Sequence, residues 1–365
     1  MTTILIISPE AWDGHFVSKH HYAMELARRG HDIIFYGPPS LDKKICLEDI
    51  CEIQGRLRIL RAPRVAIGLR RFPATIRRIF ERRWLHRLER RIGQRIDVIW
   101  NFENSRFFDF RFAGDRLKIY QQVDLNQNFQ PDVAASTANL SIAVSAPIEQ
   151  LIAPFANQLV RITHGYAPIG NRVSLPNGLE PEFAKKGVNA VLTGNLDISY
   201  LDVDLVARLV NIHPDVQFHF VGSFTAGKGL HALTGSVPNV KFWGRRPAAE
   251  LGHFLRLADV LLVAYQADEH LAQLANPHKI MEYLASGRCV LATRTLEYEG
   301  RSDLLEMRIS RDAYVQAFTE IVKNPSDWNT PELIAHRQNF AVKNTYSEHV
   351  NRIAQEIGPL GLLLI

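Results

Sequence analysis

Short runs of β-branched and aliphatic residues alternate along the chain with stretches whose apolar positions recur every three or four residues. The first run, Ile4–Ile7, precedes a pattern from Ser18 to Arg29 in which Tyr22, Ala23, Leu26 and Ala27 share one helical face. Gly30 supplies the left-handed stop, and His31–Tyr36 reads as the next strand. Asp97–Trp100, Leu117–Val123 and Leu140–Val144 continue the series as further candidates for strands buried in a parallel sheet. A second series begins near residue 188. Its strands are expected at Asn189–Thr193, Val216–Val221, Val240–Phe242, Val260–Ala264 and Cys289–Thr293, with helices near 202–211, 247–257, 278–286 and 311–323. The alternation predicts two doubly wound α/β domains of Rossmann type in tandem. Pro176-Asn177-Gly178 is the strongest turn signal between them. We therefore expect an N-terminal domain over 1–178, a C-terminal domain over 179–340, and a last helical stretch, 341–365, that crosses back to the first domain.

Composition narrows the class. With 46% hydrophobic and 22% charged residues among 365, the chain is neither disordered nor fibrous. No apolar stretch approaches the ~20 residues of a membrane span, and the opening MTTILIIS is expected to be a strand rather than a signal peptide. Cys46, Cys51 and Cys289 are too few and too scattered for a disulfide framework or a zinc site, which suits a reducing cytoplasm.

Charge is unevenly placed. Arg56 to Arg95 holds fourteen arginines against Glu81 and Glu89, a balance of +12, while the whole chain carries only +5. Within it, arginines surround Ile76, Ile79, Phe80, Trp84, Leu85, Leu88 and Ile92, the pattern of a basic amphipathic helix lying on an anionic membrane surface. No nucleic-acid-binding module accompanies the charge, so nucleic acid is not expected as a partner.

Local chemistry is richest in Asn276-Pro277-His278-Lys279-Ile280-Met281-Glu282-Tyr283-Leu284-Ala285-Ser286-Gly287, followed by the strand Cys289–Thr293. Pro277 is expected at the first helical position and Gly287 at the helix stop. Free N–H groups and a lysine at a helix start suit a diphosphate, and a carboxylate one turn on suits the hydroxyls of a ribose. The competing structural reading is an exposed Lys279–Glu282 ion pair at i,i+3. Asp202-Val203-Asp204 opens a helix, where acids cap and complement the dipole, so no metal is inferred from it.

That segment resembles the Pro-x-Lys-x-x-Glu-Tyr-Leu-Ala-x-Gly motif of the GT-B glycosyltransferases. Further likenesses are Pro176-Asn177-Gly178-Leu179-Glu180, Leu192-Thr193-Gly194-Asn195, Asn239 to Arg245, Ala258 to Tyr265, and Trp12-Asp13-Gly14 ahead of the first helix. The resemblance implies two Rossmann-type domains facing a central cleft, with the nucleotide of a sugar donor, most simply UDP, on the second. By that resemblance Lys279 neutralises the diphosphate and Glu282 binds the ribose. Gly194 and Asn195 admit the phosphates, Gly244 and Arg245 flank the base or sugar, Tyr265 ends the strand above the sugar, and Pro277 opens the helix. No separate cofactor is implied. Retaining enzymes of the family-4 type place a second glutamate eight residues before the ribose-binding one, and here that position is Leu274. A branch similar to the xanthan glucuronosyltransferase lacks it and inverts with an N-terminal carboxylate base.

Such a base must follow an N-terminal strand. Asp124 is the first candidate; Asp13 and His15 come second. The expected activity is transfer of a sugar to a polyprenyl-linked or other glycan acceptor at the inner face of a bacterial membrane, in surface polysaccharide synthesis. A UDP-sugar epimerase of the same fold, or a catalytically silent sugar-nucleotide-binding subunit, are the alternatives.

Overall fold

The computed structural model describes residues 1–13, 16–41, 45–50, 55–125, 129–168, 179–183, 187–271 and 274–358. Two compact units make up the chain: Met1–His164 with Tyr346–Ile365, and Gly165–Thr345. The Pro176-Asn177-Gly178 turn lies outside the described residues, as do Gly14 and His15.

The first unit runs β1 (Thr3–Ile7), α1 (Ser18–Arg28), β2 (Asp32–Tyr36), β3 (Cys46–Asp49), β4 (Leu57–Arg61), α2 (Ala74–Ile92), β5 (Val98–Asn101), β6 (Leu117–Gln122), α3 (Pro131–Thr137), β7 (Leu140–Ala143), α4 (Ala146–Ile152) and β8 (Leu159–Arg161). Its sheet has the order β3-β4-β2-β1-β5-β6-β7-β8, parallel throughout except for the antiparallel β3–β4 edge pair. The second unit runs α5 (Leu179–Phe183), β9 (Asn189–Thr193), α6 (Val203–Ile212), β10 (Gln217–Val221), α7 (Gly229–Thr234), β11 (Val240–Gly244), α8 (Ala248–Leu257), β12 (Val260–Val263), α9 (Ala267–His270), α10 (Lys279–Ser286), β13 (Cys289–Thr293), β14 (Glu306–Arg308), α11 (Arg311–Lys323) and α12 (Pro331–Val342). Its sheet, β11-β10-β9-β12-β13-β14, is wholly parallel.

Strand burial explains the pattern in the sequence. Every residue of β1, β5, β9, β12 and β13 is buried, so these strands carry no polar alternation. Both sheets reverse their strand order beside the first strand, between β1 and β5 and between β9 and β12. An aspartate pins each reversal: Asp97 accepts from the Thr3 amide at 2.9 Å, and Asp259 from the Asn189 amide at 2.8 Å. Ligands of doubly wound sheets bind beyond the carboxyl ends of the strands at such switch points.

Within the expected last stretch, 341–365, the described helix is Tyr346–Ile357. α12 ends at Val342, and α13 (Tyr346–Ile357) packs on α1 within the first unit. Tyr346 stacks on His21 with ring centroids 4.7 Å apart, the Tyr22 hydroxyl meets His349 Nδ1 at 3.1 Å, and Arg29 donates to the Ser347 carbonyl and to Asn351.

The arginine-rich stretch divides between β4, a short turn at Leu69–Arg71 and α2. The structure corrects its apolar side. Trp84, Leu85 and Leu88 are buried in the core of the first unit, whereas Ile76, Ile79 and Phe80 are 42%, 50% and 38% exposed. One helix thus carries two apolar faces, and only the second is open to a partner. Carboxylates remote in sequence also neutralise part of the run: Asp109 pairs with Arg77 and Arg78, Asp115 with Arg95, and Asp13 and Glu48 with Arg61.

Candidate functional site

At the carboxyl end of the second sheet, three glycines end or follow adjacent strands: Gly194 after β9, Gly222 after β10 and Gly244 closing β11. Gly194 has φ +120° and Gly222 φ +152°, both unfavourable for an L side chain. A Cβ on Gly222 would lie 1.6 Å from the Gly194 carbonyl oxygen, so these two loops touch through bare backbone. A Cβ on Gly194 would sit 3.4 Å from Lys279 Nζ. Gly222 was not singled out from the sequence; the signal was there, a glycine directly after the predicted strand Val216–Val221.

We expect Gly222→Ala to push the β9 and β10 loops apart and destabilise the protein by about 3 kcal/mol, lowering Tm by roughly 6–12 °C. A melting scan checks this, and a change under about 2 °C contradicts the packing.

α10 brings the lysine to this place. The helix begins at Lys279 with His278 in the cap position, so Pro277 stands just outside the cap and not at the first helical position. The Pro277 carbonyl accepts from the Ile280 amide at 3.1 Å, and Gly287, at φ +81°, ends the helix as expected. Lys279 Nζ donates to the Thr193 carbonyl at 2.6 Å and lies 4.8 Å from the centre of the Tyr265 ring. The structure contains no ion pair between Lys279 and Glu282, so the i,i+3 reading does not hold: the ammonium reaches across to β9, and Glu282 is exposed on the helix surface. Desolvation holds the Lys279 ammonium below its ordinary pKa. One turn on, the Tyr283 hydroxyl accepts from the Thr193 amide at 2.9 Å and locks α10 to the same strand end.

The remaining donor-side residues are distributed around this point. Tyr265 is 8% exposed, its amide donates to Thr293 Oγ1 at 3.0 Å, and Tyr200 packs edge-on at 5.2 Å. Asn195 Oδ1 accepts from the Asp197 amide at 3.1 Å and from the Ser223 hydroxyl at 3.3 Å, which ties the β9 and β10 loops together. Arg245 is exposed, while its neighbour Arg246 donates to the Trp243 carbonyl. Leu274 is 3% exposed in the core, and Glu269 is exposed on α9. Asp202 caps α6 through the Leu205 amide and makes a two-pronged pair with Arg311 at 2.7 and 2.9 Å, which commits both its oxygens to structure.

In the first unit the carboxyl ends of β1, β5 and β6 gather another charged group. Lys19, on α1, is 2% exposed and paired with Glu10. Burial lowers its pKa, opposed chiefly by Glu10 and further by the charges of Asp124 and Glu103. Asp124, just beyond β6, is exposed. Asp13 is exposed and bound to Arg61 at 3.1 Å, a guanidinium it shares with Glu48. His20 is fully buried between Phe35 and Phe16, a packing residue. Lys19 escaped the sequence reading because a lysine on an amphipathic helix looks like its solvated face.

The fold is that of the GT-B glycosyltransferases of known structure. Residues 190–324 match the family model described as Glycosyl transferases group 1. The chain resembles the sucrose-phosphate synthase of Thermosynechococcus elongatus with a TM-score of 0.73 at 13% identity, over 99% of this chain and 100% of that one. It resembles Anabaena HepE, solved in complex with UDP, with a TM-score of 0.68 at 13% identity over 98% and 100% of the two chains. WaaG, a glycosyltransferase involved in lipopolysaccharide biosynthesis, aligns with a TM-score of 0.62 at 15% identity over 97% and 100%. No curated protein matches the sequence.

Proposed function

We propose that this chain is a glycosyltransferase that uses a UDP-sugar and delivers the sugar, with inversion, to a glycan or lipid-linked acceptor in surface polysaccharide synthesis. The observation that carries the donor assignment is the Lys279 ammonium, held at the Thr193 carbonyl beside two glycine loops that touch through bare backbone. A diphosphate needs such an opening, because its oxygens must reach backbone N–H groups and a cation together. In this reading the loops at Gly194 and Asn195 admit the phosphates, Glu282 takes the ribose hydroxyls, Gly244 and Arg245 flank the base or sugar, and Tyr265 ends the strand above the sugar. The structure of Anabaena HepE in complex with UDP supports the choice of nucleotide.

The buried Leu274 removes the carboxylate that a retaining mechanism of the family-4 type would place there, and this favours inversion. The acceptor hydroxyl oxygen attacks the anomeric carbon while the bond to the diphosphate breaks. The bonding electrons leave on the terminal phosphate oxygen, facing Lys279, and the hydroxyl proton goes to the base, Asp124. Its charge interacts with that of the buried Lys19.

Screening nucleotides and nucleotide sugars by thermal shift tests the donor assignment. UDP and UDP-sugars are expected to raise Tm by several degrees and neutral sugars not at all. A protein indifferent to every nucleoside diphosphate overturns it.

The exposed Ile76, Ile79 and Phe80, among arginines 71, 82, 83 and 87, support peripheral attachment to an anionic membrane surface; no helix among the described residues is long and apolar enough to cross one. Cosedimentation with anionic vesicles at low salt checks this. Ile79→Glu with Phe80→Glu is expected to abolish binding, and undiminished sedimentation contradicts it.

A further inference from the structure

The first unit contains a cavity of about 510 Å³, lined only by its own residues from the segment after β1, the end of β2 and the segment after it, the segment after β4, α2 and the segment after β5. Its volume falls within the roughly 300–1,000 Å³ of small-molecule sites. Its chemistry is lopsided. Arg64, Arg70 and Arg71 line it, are exposed, and form no ion pair among the described residues, and Arg70 lies over the Phe129 ring at 5.4 Å. Arg106 also lines it but is occupied: it pairs with Glu103 and donates to the Ser8 carbonyl at 2.8 Å.

On the inner side stand Arg77 and Glu81, 7% and 2% exposed. Arg77 reaches Asp109 at 3.2 Å through Nη2, yet among the described residues its Nε has no hydrogen-bond partner, and neither has Glu81 Oε2. Leaving a buried polar atom unpaired costs on the order of 1–3 kcal/mol, so two such atoms in one cavity wall call for a polar ligand. Burial pushes the Glu81 carboxyl up to about 8, against the opposing pull of Arg77, with Asp109 raising it further and the Phe107 amide and Arg78 lowering it. At neutral pH Glu81 is therefore a hydrogen-bond donor.

We propose that this cavity binds a saccharide bearing an oxyanion, as a phosphate, sulfate or carboxylate, with Arg64, Arg70 and Arg71 meeting the charge and Arg77 Nε and the Glu81 hydroxyl donating to its oxygens. The proposal deepens the transferase reading by naming the acceptor's class. The binding itself rests on the cavity alone, so it is measured without any nucleotide.

The probes are glucose 6-sulfate, whose charge is constant with pH, and glucose, titrated calorimetrically at low salt. The sulfate ester is expected to bind at least tenfold more tightly than glucose, and Arg70→Ala with Arg71→Ala to weaken it tenfold or more. Ionisation of Glu81 above pH 8 removes the donor and adds a repelling charge, so wild-type affinity is expected to fall about fivefold between pH 6.5 and 9.5. Glu81→Gln keeps a donor and is expected to hold its affinity across that range. Equal binding of ester and glucose, or an unchanged double arginine variant, overturns the site. Loss of anionic-vesicle binding with ester binding intact in that double variant also overturns it, because the arginines then serve a membrane. A UDP thermal shift run in parallel separates failure here from failure of the donor assignment, which does not involve these residues.

Discussion

Lys279→Ala is expected to weaken UDP binding by roughly 10- to 150-fold, the effect of losing a charged hydrogen-bond partner worth about 1.5–3 kcal/mol. Two features of the site set that size. The ammonium is already tethered to the Thr193 carbonyl and sits over Tyr265, so little rotamer entropy remains to be lost on binding. Desolvation has also lowered its pKa, which gives the effect a pH signature. The lysine must be charged to hold a diphosphate, so UDP affinity falls as pH rises, and the fall begins below the ordinary lysine value near ~10.4. The variant shows no such fall. Calorimetric titration of UDP across pH 6.5–10 measures both, and an affinity within about twofold of wild type removes Lys279 from the site.

For Asp124→Asn the expected result is the opposite partition: turnover lower by about 10²–10⁴-fold, the usual contribution of a general base, with UDP affinity unchanged. Asparagine keeps the shape and cannot accept the proton. Asp13→Asn is the comparison that decides between the two carboxylates. Its side chain is committed to Arg61 at the surface, so the change is expected to cost less than about threefold in turnover. Initial rates with a UDP-sugar and a competent acceptor measure both, and near-normal turnover of the Asp124 variant excludes it as the base. His15, the remaining candidate, lies outside the described residues.

Much of the donor unit could be read directly from residue order. Asn189–Thr193 and Cys289–Thr293 are strands over the predicted residues, because buried parallel strands are uninterrupted apolar runs with sharp polar ends. The edges were less visible. β3, β8 and β14 are short, partly exposed and polar in places, and without a buried face on both sides they carry no distinctive pattern. The start of α13 is set by packing in the same way: Tyr346 and His349 meet α1, while the apolar spacing of the preceding helix runs on without a break.

Alone, then, the order of residues determined two parallel α/β sheets, the lysine-bearing helix between Pro277 and Gly287, and the concentration of arginine before β5. Local rules suffice for these, since strand burial, helix stops and net charge depend on residues near in sequence. What each charged group does was decided only by tertiary structure. Lys279 chose the Thr193 carbonyl 86 residues away over Glu282 on its own helix. Asp109 and Asp115 neutralised some arginines while Arg64, Arg70 and Arg71 at a cavity form no ion pair among the described residues, and Trp84 turned into the core as Phe80 turned out. An electrostatic or packing partner is set by distance in space, and distance in space is what the fold creates.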